Sequence, residues 1–183
     1  MRRLGCLVPG HRAQPRGVVL STIGFIMTQH RIGPVGIRQE DPAQPDILAL
    51  LAQGEANSAA LYPAESNHHL PLDLLRRANV QFLVARGPDG VALATGAVVL
   101  NGGWAEVKRM WVVEPARGQG LSKRILAELI SRAKAANIGV LRLETGVASH
   151  AALDLYDAMG FVRRGPFADY AEDPLSVFME KRL

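Results

Sequence analysis

Between Trp104 and Ala136 the hydrophobic period changes, and it changes at a glycine-rich junction. Trp104 to Val113 reads as a strand. Glu114-Pro115-Ala116 interrupts it, and Arg117-Gly118-Gln119-Gly120-Leu121-Ser122 follows. From Leu121 the apolar residues recur at helical spacing: Leu121, Ile125, Leu129 and Ala133, flanked by Leu126 and Ile130. Lys123, Arg124, Glu128, Arg132 and Lys134 take the solvated side, and Asn137 and Gly139 end the helix. Val140 to Glu144 is again a short strand. Strand, helix and strand make a β–α–β unit whose two strands run parallel. Few architectures hold such a unit in so short a chain.

The flanking segments narrow the choice. Ile32 to Arg38 reads as a first strand, weakened by Gly33, Pro34 and Gly36. Pro45 opens a helix with an apolar face through Ile47, Leu48, Leu50 and Leu51, running to about Leu61; Tyr62-Pro63 ends it. Glu65 to Leu70 is a polar loop, and Pro71 to Arg77 reads as a second short helix. Gln81–Ala85, Val91–Leu100 and Trp104–Val113 form an antiparallel meander around the turns Gly87–Gly90 and Asn101–Gly103. After the parallel strand, Ala152, Leu155, Tyr156 and Met159 form a helical stripe stopped by Gly160. Phe161-Val162 and Leu175–Glu180 finish as strands. The expectation is one mixed α/β domain.

Composition excludes several function classes. The single cysteine, Cys6, rules out an intrachain disulfide and leaves no cysteine-based metal site, so no metal is expected. No run of about 18 apolar residues occurs, so no membrane span is expected, and a cytoplasmic location fits. The net charge of +4 equals the four arginines of residues 1–26 (Arg2, Arg3, Arg12, Arg16), a stretch without acidic residues. Residues 27–183 are therefore neutral overall and carry no net field for nucleic acid. Residues 1–26 are expected to be a disordered leader or to precede a natural start at Met27, because their apolar run sits too late for a signal peptide. Residues 27–183 are expected to be the single domain.

The junction suits an anion. Two glycines where a strand becomes a helix let the backbone close tightly. The free N–H groups of the first helical turn then face that anion, with the helix dipole favouring its charge. Arg117 and Arg124 add positive charge. A Walker loop is excluded by the glycine spacing before Lys123, and Gly118-x-Gly120 lacks the third glycine and the acidic residue of a dinucleotide fold. Glycines that merely start a helix remain the bland alternative.

The run Val113-x3-Arg117-Gly118-x-Gly120-x-Ser122 resembles motif A of the GNAT superfamily of acyl-CoA N-acyltransferases, written Arg/Gln-x-x-Gly-x-Gly/Ala, with Ser122 as a small-residue departure. Ala152-x-x-Leu155-Tyr156-x-x-x-Gly160-Phe161 resembles the second signature of that family. The resemblance extends from about Ile32 to Leu183. The strings Lys108-Arg109-Met110, Glu144-Thr145-Gly146 and Gly165-Pro166-Phe167 look like a bacterial subgroup of small-molecule acetyltransferases.

The resemblance implies a fold and a site. The fold is a mostly antiparallel twisted sheet with a splayed parallel β–α–β pair in the middle, flanked by helices. The cosubstrate is acetyl-CoA, and the acceptor is a primary amine on a small or amino-acid-like molecule. Met110, Trp111, Val112 and Val113 would pair with the pantetheine arm and supply an oxyanion donor. Arg117, Gly118, Gln119, Gly120, Leu121 and Ser122 would hold the diphosphate. Tyr156 matches the general acid, a phenol protonated at neutral pH. Glu106 matches the glutamate base of some histone-acetylating relatives. By period two it shares a face with Lys108, Met110 and Val112, while Arg109 points the other way. Glu106 paired with Lys108 on the surface is the alternative.

Glu144 ends the neighbouring strand, where a splay exposes it; a water chain is a third route for the amine proton. Ser149 stands where the family often carries Asn; the resemblance implies that it binds a water or a pantetheine carbonyl as part of the cofactor site, and capping the helix alone also explains it. Ser66, His68 and His69 lie in the loop that covers the acceptor site in the family, although adjacent histidines on a polar loop are ordinarily solvated. Arg109 reads as a carboxylate-recognising group or a structural ion pair. A non-catalytic CoA sensor and a protein N-terminal or lysine acetyltransferase are the competing functions. Pairing of C-terminal strands into a homodimer is expected by analogy.

Overall fold

In a computed structural model the described residues are 33–183, so the expected leader, Cys6 and Ile32 fall outside them. Strand β1 (Gly36–Gln39) precedes helix α1 (Pro45–Leu61), which starts at its proline as the sequence predicts. Helix α2 (Leu72–Leu75) is one turn, shorter than expected. It buries only Leu75, and the Arg77 carbonyl then accepts the Val80 N–H at 2.9 Å, turning the chain into the next strand. Strands β2 (Val80–Arg86), β3 (Ala92–Leu100) and β4 (Trp104–Val112) form the meander. Helix α3 (Leu121–Ala135), β5 (Val140–Gly146), helix α4 (His150–Ala158), β6 (Val162–Arg164) and β7 (Ser176–Arg182) complete the order.

The strands form one seven-stranded sheet in the order β1-β2-β3-β4-β5-β7-β6. Every neighbouring pair is antiparallel except β4 and β5, which run parallel in the middle. The last strand, β7, lies between β5 and β6, so β6 and not the C-terminal strand forms that edge.

Alternation along the strands builds two cores. Leu83, Ala85, Ala105 and Val107 pack with Leu121, Ile125, Leu126 and Leu129 of α3 and with Tyr156 of α4. Phe82 and Val84 point to the other face, against Ile47, Leu50 and Leu51 of α1 and Leu75. Ile125, Leu126 and Leu129 are fully buried. Each contributes roughly 1.5–3 kcal/mol relative to exposure, which fixes the start of α3 firmly against the sheet.

The regular period fails once, in β4, and the failure corrects the expected faces. Lys108 pairs with Ala97 and Trp111 with Thr95, so Arg109 and Met110 together oppose Gly96. This is a β-bulge. Arg109 takes a φ of 56°, and the buried Thr95 Oγ1 donates to its carbonyl at 2.9 Å. Beyond the bulge the faces exchange. Met110 and Val112 join Val107 on the α3 side, while Glu106 and Lys108 stay opposite. Gly96 permits the exchange, since a Cβ there would lie 2.6 Å from Ile125 and 2.8 Å from the Met110 sulfur.

The bulge also opens the sheet. The parallel ladder covers only Trp104↔Val140, Ala105↔Leu141 and Glu106↔Arg142. Past Glu106, β4 follows β3, and β5 follows β7 as far as Gly146↔Ser176. The Val113 N–H is bound by the Leu93 carbonyl of β3. By strand alternation the N–H and C=O of Met110 and Val112 face the opened side.

Candidate active site

A cleft of about 610 Å³ occupies this splay. Its walls are β4 from Val107 to Val112, the loop Ala116–Ser122, the end of β5, the start of α4 and the loop Ser66–Leu70.

At one end stands the expected anion loop. Gly118 and Gly120 adopt φ of 74° and 75°, and a Cβ on either would meet nothing within 4 Å. Gly120 is the residue before α3, with no side-chain cap on the helix and no acidic residue in its first turn. The leading amides are therefore open to an anion. Arg117 stacks on the Trp111 ring with its guanidinium carbon 4.9 Å from the centroid, and its Nε donates to the Val112 carbonyl at 3.2 Å. Arg124 does not join the loop: it donates to the Val35 carbonyl at 2.7 Å, because its helix position turns it away. Arg117, Gly118, Gly120, Leu121, Ser122, Met110, Trp111 and Val112 all line the cleft, with Gln119 and Val113 as their chain neighbours. The indole Nε1 of Trp111 is buried without a protein partner.

In the middle, α4 brings Ser149, Ala152 and Tyr156 to the cleft along one face. Tyr156 is 5% exposed and packs on Phe161 at 5.7 Å. Burial, then the charge of Glu144, holds its phenol above the ordinary range, so it is protonated at neutral pH. Ser149 does not cap α4, contrary to the bland expectation. Its Oγ is instead 3.0 Å from the Tyr62 hydroxyl.

At the far end Glu144 lines the cleft and accepts from Ser176 Oγ at 2.7 Å. Burial pushes its carboxyl above the usual carboxylate range. Glu106 sits one layer back. It is 9% exposed, accepts from the Tyr170 hydroxyl at 2.6 Å and pairs with Lys108 at 2.9 Å. Lys108, not Glu106, reaches the cleft wall. The Lys108 ammonium also bonds the Tyr170 hydroxyl and donates to the His68 carbonyl at 3.1 Å.

Arg109 grips the same loop, rather than the opposite face. Its Nε donates to the Leu70 carbonyl at 3.0 Å, and its Nη1 pairs with Glu55 of α1 at 2.6 Å. Its side chain is 7% exposed, so its donors are committed within the protein. Of the two sequence readings of Arg109, the geometry is that of the ion pair.

Ser66 and His68 are on the cleft wall, and both also touch the loop between β6 and β7. Ser66 bonds Asp173, and His68 meets Tyr170 edge-on at 5.0 Å. His69 was not expected to matter, yet it lines the cleft with its Nε2 buried and without a protein partner. Burial, then the Arg109 charge, holds its imidazole below the usual range, so it is neutral at pH 7. Sequence reasoning also missed Tyr62 and Tyr170. Tyr62 read only as a helix end, and nothing in the spacing joins Tyr170 to Glu106. Among the described residues no group of three or more His, Cys, Asp or Glu is placed to hold a metal ion, and no helix is long and apolar enough to cross a membrane.

With this geometry in view, the comparisons with known proteins agree on one family. Residues 49–161 match the family model of the acetyltransferase (GNAT) family. The chain is 43% identical over 151 residues to an IAA acetyltransferase of Azospirillum brasilense, covering 81% of this chain and 98% of that protein. It is 38% identical to a candidate acyl-CoA N-acyltransferase from Klebsiella pneumoniae of solved structure, with a TM-score of 0.70 over 81% of this chain and 97% of that one. A Thermoplasma acidophilum PaiA N-acetyltransferase, solved with coenzyme A, shares the fold at 16% identity and a TM-score of 0.64, over 82% of this chain and all of that one. The splayed sheet, the glycine loop before α3 and these matches establish that the chain belongs to the GNAT acetyltransferase family and is an acyltransferase.

Proposed function

We propose that the protein is an acetyl-CoA-dependent N-acetyltransferase that transfers the acetyl group directly to the primary amine of a small acceptor. One observation carries the reading: a single cleft is lined by the glycine loop, by the stretch of β4 that has left β5, by a protonated tyrosine and by a carboxylate whose pKa is raised. The loop Arg117–Ser122 suits a diphosphate. The N–H groups of Met110 and Val112, turned away from β3, suit a carbonyl of a pantetheine arm and the carbonyl oxygen of a thioester, which gains negative charge during attack.

The roles then follow from chemistry. Glu144 accepts the proton of the acceptor ammonium, directly or through water, leaving a neutral amine to attack the thioester carbon. Its raised pKa makes it a better proton acceptor than an exposed carboxylate. The C–N bond forms and the C–S bond breaks; Tyr156 gives its proton to the departing sulfur, and the extra proton of the attacking nitrogen returns to the Tyr156 phenolate through water. The transfer is direct, with no acyl-enzyme on the path. Glu106 holds Lys108 and Tyr170 in place behind the cleft wall.

The acceptor end supports a small molecule. The loop Ser66–Leu70 and the loop between β6 and β7 are joined by Ser66–Asp173, His68–Tyr170 and Lys108. An extended polypeptide laid across β4 would have to part them. The test is thiol release from acetyl-CoA across a panel of small amines and short peptides. Turnover is expected with small amines and lost in Tyr156→Phe; unchanged turnover in that variant overturns the acid assignment. Preferential turnover of peptides overturns the small acceptor.

A further inference from the structure

One residue at the end of α1, which no family signature marks, packs on the end of β5 beside the cleft. Tyr62 follows the last residue of α1, and its ring lies over Gly146 at the end of β5. A Cβ on Gly146 would fall 2.1 Å from the ring, so the two positions are fitted to each other. The Tyr62 hydroxyl accepts the Ala148 N–H at 3.0 Å and is 3.0 Å from Ser149 Oγ. Asn67 holds the backbone of this corner, donating to the carbonyls of Tyr62 at 3.3 Å and Pro63 at 3.1 Å. Tyr62, Asn67, Gly146, Ala148 and Ser149 all line the cleft. The end of α1, the loop after it, the end of β5 and the start of α4 thus meet at one corner of the cleft.

The direction of the bonds matters. A phenol that accepts an amide N–H keeps its own proton to give, and it is a better donor than an alkyl hydroxyl. Of the two hydroxyls, the more acidic phenol, already accepting from Ala148, is the favoured donor to Ser149. Ser149, released from capping and already accepting, has its own proton left to donate into the cleft. This is a preset donor in the same cleft that the opened stretch of β4 lines.

We propose that Tyr62 is a positioning residue for the cosubstrate: it ties the end of α1 to the end of β5 and the start of α4, and orients the Ser149 hydroxyl as a donor to a carbonyl of the pantetheine arm. The proposal rests on the acetyl-CoA reading above and adds to it a residue outside the family motifs. It also predicts a division of labour, with Tyr62 acting on cosubstrate binding and not on the acceptor.

The test is a double-mutant cycle with Tyr62→Phe and Ser149→Ala, read by calorimetric titration with acetyl-CoA and by steady-state kinetics. Tyr62→Phe keeps the ring on Gly146, so the fold is retained, and thermal unfolding checks this. Losing one oriented hydrogen bond is expected to weaken acetyl-CoA binding about fivefold. Ser149→Ala should do the same, and the double variant should be no worse than either. The KM for the acceptor should not move. Additive losses, a loss in acceptor KM alone, or unchanged acetyl-CoA affinity in both single variants overturns the positioning role. Wild-type protein that binds no acetyl-CoA overturns the cosubstrate reading and this proposal together. Should Tyr62→Phe unfold, Ser149→Ala alone decides: wild-type affinity in that variant overturns the proposal, and a fivefold loss supports it.

Discussion

Gly146→Ala is the sharpest perturbation the structure offers. The φ of Gly146 lies outside the left-handed region, so alanine meets no backbone strain there. In an open strand position the change would be neutral or mildly stabilising, through the unfolded chain. Here the new methyl falls 2.1 Å from Tyr62 Cζ and 2.2 Å from its hydroxyl oxygen, while ordinary contact begins at 3.4 Å. The ring must retreat by more than an ångström. That takes the hydroxyl out of reach of Ser149 and the Ala148 N–H, both now at 3.0 Å. Two lost hydrogen bonds cost about 2 kcal/mol, and residual crowding adds about 1–3 kcal/mol. For a domain of this size the sum lowers the Tm by roughly 6–20 °C. Differential scanning calorimetry of Gly146→Ala alone, Tyr62→Ala alone and the pair measures it. With the ring gone, the glycine change should cost less than about 0.5 kcal/mol, since only its contact with Tyr62 makes it harmful. Equal destabilisation in both backgrounds would refute the reasoning, as would a harmless Gly146→Ala in the native background.

The remaining predictions concern chemistry and the acceptor loop. Tyr156→Phe should lower kcat by about 10²-fold or more with little change in acetyl-CoA KM, measured by thiol release. Glu144→Gln should lower kcat by a similar factor and abolish the acidic limb of the kcat/KM profile. That limb should lie above the ordinary glutamate range, because burial raises the Glu144 carboxyl. The sign for stability is opposite. A carboxyl raised in the folded state stabilises fully below its unfolded pKa and loses that contribution as pH rises through the folded value. Glu144→Gln should therefore hold its Tm better than the native protein on the alkaline side, as a Tm series against pH would show. Arg109→Met should cost about 2 kcal/mol by urea unfolding, since it strips charged hydrogen bonds from the Leu70 carbonyl and frees Glu55.

Local rules made the elements legible. Pro45 opens α1, the Leu121–Ile125–Leu129 stripe buries α3, and Gly118 and Gly120 take the left-handed conformation that an anion loop needs. These depend on neighbours in sequence. The bulge does not. It takes Gly96 on β3 to make room for Met110, and Thr95 to receive the Arg109 carbonyl, so it is a property of two strands together. Period two assigned faces correctly up to Lys108 and wrongly beyond it for that reason. The contacts of Tyr62 and Tyr170 join residues distant in the chain, and neither stands in a motif. His69 looked solvated because a polar loop usually is. Two cations on β4 hold the carbonyls of its neighbours His68 and Leu70, and so bring it against the cleft.

Those two cations are consecutive, which a regular strand would forbid as a shared grip, because successive side chains leave opposite faces. Only the extra residue of the bulge lets Lys108 and Arg109 seize the same loop. The distortion has an energetic cost: a non-glycine residue at φ of 56° is unfavourable by roughly 1–2 kcal/mol. The Thr95 hydrogen bond and the ion pair to Glu55 offset it on the spot. The same distortion turns Met110 into the α3 core and ends the pairing of β4 with β5, which creates the cleft. The loop Ser66–Leu70 and the opened strand edge are therefore set by one local event. A change that flattened the bulge would close the edge and release the loop in the same step, so cosubstrate and acceptor affinities should fall together.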